Sequence, residues 1–170
     1  MRQTALSTRK LARGAVIAAL YTALTLLLQP LSFGQMQIRI SEALTLLPVL
    51  MPEAVPALAI GCLLANIMGG GMIADILLGT LATLLAAVCT RLLRSRTYLA
   101  ALMPVLFNGV IVGAVVHVCY APAIALWLCM LSVAAGEAVA CLLLGPMLLR
   151  LLGRIPQELM LGCAVNWAAK

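Results

Sequence analysis

Apolar residues run along this chain in five long blocks, 11–28, 40–68, 72–90, 99–118 and 123–152, with polar residues gathered between them. A helix needs about 20 apolar residues to cross the roughly 30 Å hydrocarbon layer of a bilayer, so blocks of this length predict membrane-crossing helices. The second block differs from the others. It contains Pro48, Pro52 and Pro56 and a polar Met51-Pro52-Glu53 at its centre. Proline cannot donate the helical hydrogen bond, which predicts a turn near Pro52 and two short helices in place of one long one. Six crossings result, at about 11–29, 38–51, 53–68, 72–92, 98–118 and 122–152.

Charge placement leads to the same count. Basic residues cluster at Arg2, Arg9, Lys10 and Arg13, at Arg91, Arg94 and Arg96, and at Arg150, Arg154 and Lys170. The positive-inside rule assigns all three clusters to the cytoplasm, so an even number of crossings separates each from the next. With six crossings, ten of the eleven Lys and Arg residues face inward and Arg39 is the exception. Five crossings would put the Arg91 and Arg150 clusters outside. The expectation is an all-α membrane protein of six transmembrane helices with cytoplasmic N and C termini. Residues 1–152 form a single domain and 153–170 a short cytoplasmic tail. The basic start followed by an apolar run resembles a signal peptide, but Gln29-Pro30-Leu31-Ser32-Phe33 offers no small-x-small cleavage site, so the first helix is read as retained.

Composition narrows the function classes. Hydrophobic residues make up 65% of the chain, charged residues 9%, and mean hydropathy is +1.16, outside the balance of a soluble domain. The net charge of +6 lies at the helix ends, which points to a membrane surface and not to nucleic acid. No G-x-x-x-x-G-K-[ST] loop occurs, so any nucleotide hydrolysis must come from another chain. No H-E-x-x-H, G-x-S-x-G or Cys/His cluster occurs either, which argues against an enzyme, a metal site or a cofactor. The six cysteines, Cys62, Cys89, Cys119, Cys129, Cys141 and Cys163, show no C-x-x-C pairing and read as buried, inert thiols.

Ionisable residues inside a membrane are costly and mark pathways or sites. Arg39 and Glu42 open the second crossing, Asn66 ends the third, and Asp75 begins the fourth after Gly69-Gly70-Gly71. At 1.5 Å per residue Asn108 lies about 15 Å up the fifth helix, and Glu137 about 22 Å down the sixth. Five helices thus place a polar group at or above the midplane, on the outer side. Asp75, Gly79, Thr83 and Ala87 form a small, polar stripe that either lines a cavity or packs a helix. Asp75 and Glu137 either serve a ligand or pair internally with Arg39 or with backbone groups. His117 falls on the face opposite Asn108, continues the Gly109-x-x-x-Gly113 edge, and reads as a packing or interfacial residue. Ala15, Ala19 and Ala23 give the first helix a flat face for close approach of another helix.

These stretches resemble the QueT family, the queuosine-precursor S component, or substrate-binding subunit, of energy-coupling-factor (ECF) transporters. The resemblance runs from about 15 to 145 and rests on L-S-F-G-Q-M-Q-I-R-I-S-E-A-L-T-L-L-P from 31, P-E-A-V-P-A-L-A-I-G-C-L-L-A-N from 52 and D-I-L-L-G-T-L-A-T-L-L-A-A from 75. F-N-G-V-I-V-G from 107 and G-E-A-V-A-C-L-L-L-G-P from 136 complete it. It implies six helices, an outward-facing solute pocket, and docking of Ala15, Ala19 and Ala23 on a transmembrane T subunit powered by two cytoplasmic ATPase subunits. It also implies a deazapurine ligand, a 7-deazaguanine base or nucleoside, held by Gln37, Arg39, Glu42, Asn66, Asp75, Asn108 and Glu137. A carboxylate can accept the adjacent N–H donors of such a ring while an amide donates and accepts at once. Phe33, Phe107 and Trp127 are candidates for stacking. The loop at 30–37 is expected to close over the pocket. Rival readings are an S component for another vitamin-like nutrient, a small homodimeric secondary transporter, and a purely structural assembly protein.

Overall fold

The computed structural model describes residues 8–29 and 39–154, and every regular element among them is helical. We label them α1 (Thr8–Leu27), α2 (Ile40–Val49), α3 (Ala54–Met68), α4 (Asp75–Leu92), α5 (Thr97–Cys119) and α6 (Leu126–Gly153). Four of these, within α1 and over α4, α5 and α6, are long and apolar enough to cross a membrane, while α2 and α3 are shorter apolar helices of 10 and 15 residues.

The six helices run antiparallel along the chain, and four contacts between their ends fix the arrangement. At one end Arg13 of α1 meets Glu53 at 2.9 Å, and Arg91 of α4 donates to the carbonyls of Pro48 and Val49 at 3.0 and 3.1 Å. At the other end Gln29 reaches the Gly69 carbonyl at 3.5 Å, and Tyr120 reaches the Met72 amide at 3.0 Å. The basic residues Lys10, Arg13, Arg91, Arg94, Arg96, Arg150 and Arg154 all belong to the first end by chain order, as the charge pattern anticipated.

The turn expected near Pro52 is present. Leu50 and Met51 both donate to the Leu47 carbonyl, and Ala54 donates to that of Met51, which reverses the chain between α2 and α3. The next reversal follows from glycine. Gly70 has φ +75°, a left-handed conformation open to a residue without Cβ, and Gly71 donates back to the Asn66 carbonyl at 2.9 Å.

What the hydrophobic pattern does not convey is backbone pitch. α2 is a 310 helix for all its ten residues, with Pro48 inside it, and the residues from Ser41 to Pro48 are all buried. The 310 rise is about 2.0 Å per residue, so ten residues reach roughly 20 Å where an α-helix would reach about 15 Å. A helix buried on all sides is held by the helices that surround it. α2 touches every other helix of the bundle and forms its centre, which is why so short an element suffices there. Two further departures are π-helical turns, Asp75–Gly79 at the start of α4 and Val139–Leu144 within α6. The sixth helix begins at Leu126, four residues beyond the expected 122, because the chain after α5 first makes a turn in which the His117 ring contacts the Ile124 carbonyl at 2.8 Å.

Small residues set the helix spacing. A Cβ at Gly61 would lie 3.0 Å from the Ala18 carbonyl and the Tyr21 Cβ, so α1 and α3 touch backbone to backbone there. A Cβ at Gly113 would fall 2.5 Å from Met130 Cα, and one at Gly109 2.9 Å from Ala134 Cβ, which makes the Gly109-x-x-x-Gly113 edge the seam between α5 and α6. Ala87, Leu58, Tyr21 and Ile17 meet in one apolar cluster, and Ala82, Val112, Val116 and Val133 in another.

Candidate functional site

Each polar group on the buried faces arrives there by helical periodicity. On α6, Cys129, Val133 and Glu137 follow a four-residue spacing and all are buried. On α4 the same spacing buries Asp75, Gly79, Thr83 and Ala87. The stripe divides along its length: Ala87 packs in the apolar cluster, whereas Asp75 and Thr83 enter polar contacts. Six of the seven residues singled out in the sequence, Arg39, Glu42, Asn66, Asp75, Asn108 and Glu137, are buried, none more than 3% exposed. Gln37 and Phe33, with the rest of the loop at 30–37, lie outside the described residues.

The six form two adjoining networks. In the first, Arg39 faces Asp75 at 3.9 Å, and Asn66 donates to the Asp75 backbone carbonyl at 3.3 Å. The Cys62 sulfur accepts from Thr83 at 3.3 Å, from Asn66 at 3.5 Å and from Arg39 at 3.9 Å. In the second, Asn108 donates to Glu137 at 3.0 Å, and the Cys141 thiol lies 3.7 Å from the other Glu137 oxygen and 3.4 Å from the Glu42 carbonyl. Tyr21 donates to the Glu42 carboxyl, and Thr25 donates to Ser41 at 2.7 Å. Arg39 and Glu42 stand three residues apart at the start of α2, where the Glu42 amide donates to the Arg39 carbonyl at 3.0 Å, which joins the two halves.

Two features of this arrangement are chemically unusual. A thiol sulfur is a weak acceptor, yet three donors converge on Cys62. Strong acceptors are meanwhile left over: Glu42 Oε2, Asn66 Oδ1, Asp75 Oδ1 and Asn108 Oδ1 are buried with no hydrogen-bond partner among the described residues, as is Thr80 Oγ1. An orphaned buried polar atom costs about 1–3 kcal/mol. The cluster also holds three carboxyl groups and one guanidinium. A molecule that offers several N–H donors and at least one good acceptor would complement this set of groups.

The sequence reading missed several members. Cys62 and Cys141, taken as inert, are part of the polar networks, and Tyr21, Thr25, Ser41, Thr45 and Tyr120 join them. Tyr21 and Thr25 stand four apart on α1, opposite the alanine face, and that stripe was the available signal. The internal pair of Arg39 with Asp75, one of the two readings of that acid, is present, whereas Glu137 pairs with Asn108. Of the stacking candidates, Phe107 is partly buried beside Asn108. Trp127 is corrected. It is 64% exposed on the same outer face of α6 as Leu131, away from the face that carries Glu137, so its ring does not join the cluster. Ala15, Ala19 and Ala23 are exposed on α1 while Ile17, Ala18 and Tyr21 face inward. Among the described residues, no three His, Cys, Asp or Glu side chains gather as a metal site would require.

A family model described as QueT transporter matches residues 11–154. Comparison with curated proteins and with solved structures gave no match. The match spans all six helices from early α1 to the end of α6, and with it the whole buried cluster. The chain is thus a transporter and not an enzyme, an integral membrane protein that belongs to the QueT transporter family.

Proposed function

We propose that the chain is the solute-binding S component of an ECF-type importer and captures a queuosine precursor, a 7-deazaguanine base or its nucleoside, from outside the cell. The observation that carries this reading is the mismatch inside the bundle, where three donors share one sulfur and four strong acceptors have no donor among the described residues. A guanine-like edge answers both needs. Its ring N–H and exocyclic amine supply donors to carboxylate and amide oxygens, and its carbonyl is a better acceptor than a thiol.

In this reading all six helices cross the cell membrane, with both termini and the basic end in the cytoplasm. Residues 1–152 are the membrane domain and 153–170 its cytoplasmic tail. The cluster then opens toward the outside. Irregular backbone at membrane depth is tolerated where it lines a cavity, and the 310 helix and both π turns lie beside the cluster. The exposed alanine face of α1 would dock on the T subunit, and two ATPase subunits would drive release.

The test is calorimetric titration of the purified protein with 7-deazaguanine, its 7-aminomethyl derivative and the corresponding nucleoside. Saturable binding of at least one, weakened tenfold or more by Asn108→Leu, supports the assignment. Saturable binding of an unrelated vitamin with none of any deazaguanine would keep the fold and remove the substrate.

A further inference from the structure

Tyr120 was not among the candidate residues, yet its hydroxyl holds a particular place. It donates to Asp75 Oδ2 at 3.2 Å and accepts from the Met72 backbone amide at 3.0 Å. Tyr120 follows the last residue of α5, and Met72 ends the glycine turn after α3. One phenol therefore ties together two reversals at the end of the bundle farthest from the basic clusters. The two ends of this contact differ sharply in exposure, with Tyr120 39% exposed and Asp75 fully buried. The side chain spans from the surface to a buried member of the cluster.

The bond also orients the carboxyl. Asp75 Oδ2 is taken by Tyr120 and faces Arg39, while Oδ1, buried, has no partner among the described residues. Fixing one oxygen of a carboxylate fixes the direction of the other. We propose that Tyr120 is a positioning residue of the solute site, a latch whose hydroxyl closes this end over Asp75 and aims Asp75 Oδ1 inward for a ligand donor. The aiming half of this role rests on the reading of Asp75 as a binding residue. The closing half does not.

Cys62 provides a built-in reporter, since it is fully buried and touches Arg39, the partner of Asp75. Cys129 is a control, because it is 3% exposed in the separate apolar cluster between α5 and α6. The full-length protein in nanodiscs is treated with a cationic methanethiosulfonate reagent, and modification is followed at each cysteine by peptide mass spectrometry. Reaction of a buried group tracks the population of the open state, and each lost hydrogen bond raises that population by a factor of roughly 2–10. Tyr120→Phe, which keeps the ring and removes both bonds, is expected to speed Cys62 labelling by about tenfold and leave Cys129 unchanged. A Cys62 rate within twofold of the wild type overturns the latch, and so does an equal rise at both cysteines, which would mark general loosening. Protection of Cys62 by 7-deazaguanine in the wild type is read separately. Its absence counts against the substrate and leaves the effect of Tyr120→Phe on the unliganded rate intact.

Discussion

Glu42 is the most constrained residue of the cluster. It is fully buried on the central 310 helix, one carboxyl oxygen is held by Tyr21, and the other has no partner among the described residues. Removing the phenol hydroxyl takes away the donor that holds Oε1. Tyr21→Phe should therefore lower stability by about 1–3 kcal/mol, the cost of an unsatisfied buried acceptor, although it removes only one atom. In Tyr21→Phe/Glu42→Gln the second change removes the charge that made the first expensive, so the pair should be less destabilised than the sum of the singles by about 1 kcal/mol. Thermal unfolding of the four proteins in one detergent measures the coupling, and simple additivity would mean that the two side chains act independently. The acids and amides of this cluster were visible in the sequence because charge is rare in an apolar chain. The hydroxyl and thiol partners were not, because Tyr21, Thr25, Cys62 and Cys141 are ordinary in membrane helices and only their packing reveals their role.

At the scale of the element, glycine positions separate two kinds of helix contact. A Cβ at Gly113 would stand 2.5 Å from the Met130 backbone, whereas one at Gly14 would meet nothing nearer than 3.8 Å. Gly113→Ala must push α5 and α6 apart, and the strain of such overpacking is about 1–3 kcal/mol. Gly14→Ala should be neutral or stabilising by up to about 1 kcal/mol, since alanine favours a helix and the space exists. Melting temperatures that fall in the first variant and hold or rise in the second would bear this out, and the opposite order would contradict the packing. The Gly109-x-x-x-Gly113 seam was legible, since close approach demands small residues at that spacing. The turn at 50–53 was legible too, from three prolines and a polar centre. The 310 pitch of α2 and the π turns at Asp75–Gly79 and Val139–Leu144 were not, because their hydrogen-bond register answers to neighbouring helices and not to local periodicity.

For the whole molecule, α1 is the helix that faces two ways. Its inner side presents Ile17, Ala18, Tyr21, Thr22 and Thr25 to the bundle, and its outer side presents Ala15, Ala19 and Ala23 flanked by exposed Val16, Leu20 and Leu27. In lipid a helix gains nothing from burying leucine against leucine, and association depends on close van der Waals fit, which small residues allow. If the proposed T subunit docks here, enlarging the outer face should block assembly and leave the fold untouched. Ala19→Trp is expected to retain the wild-type melting temperature and solute binding by the isolated subunit, and to lose co-purification with the partner subunits and uptake in cells. Ala18→Leu, one residue away, should behave in the opposite manner. Ala18 is 7% exposed and its backbone abuts Gly61, so a larger side chain there competes for space within the bundle and lowers stability before any partner is involved. Uptake that survives Ala19→Trp at wild-type levels would move the docking surface elsewhere. Because Tyr21, on the inner face of α1, holds the Glu42 carboxyl, a partner pressing on the outer face of α1 would also press on that carboxyl. Tyr21→Phe should accordingly weaken any effect of the assembled complex on solute affinity, which comparison of binding to the free and the complexed subunit would measure.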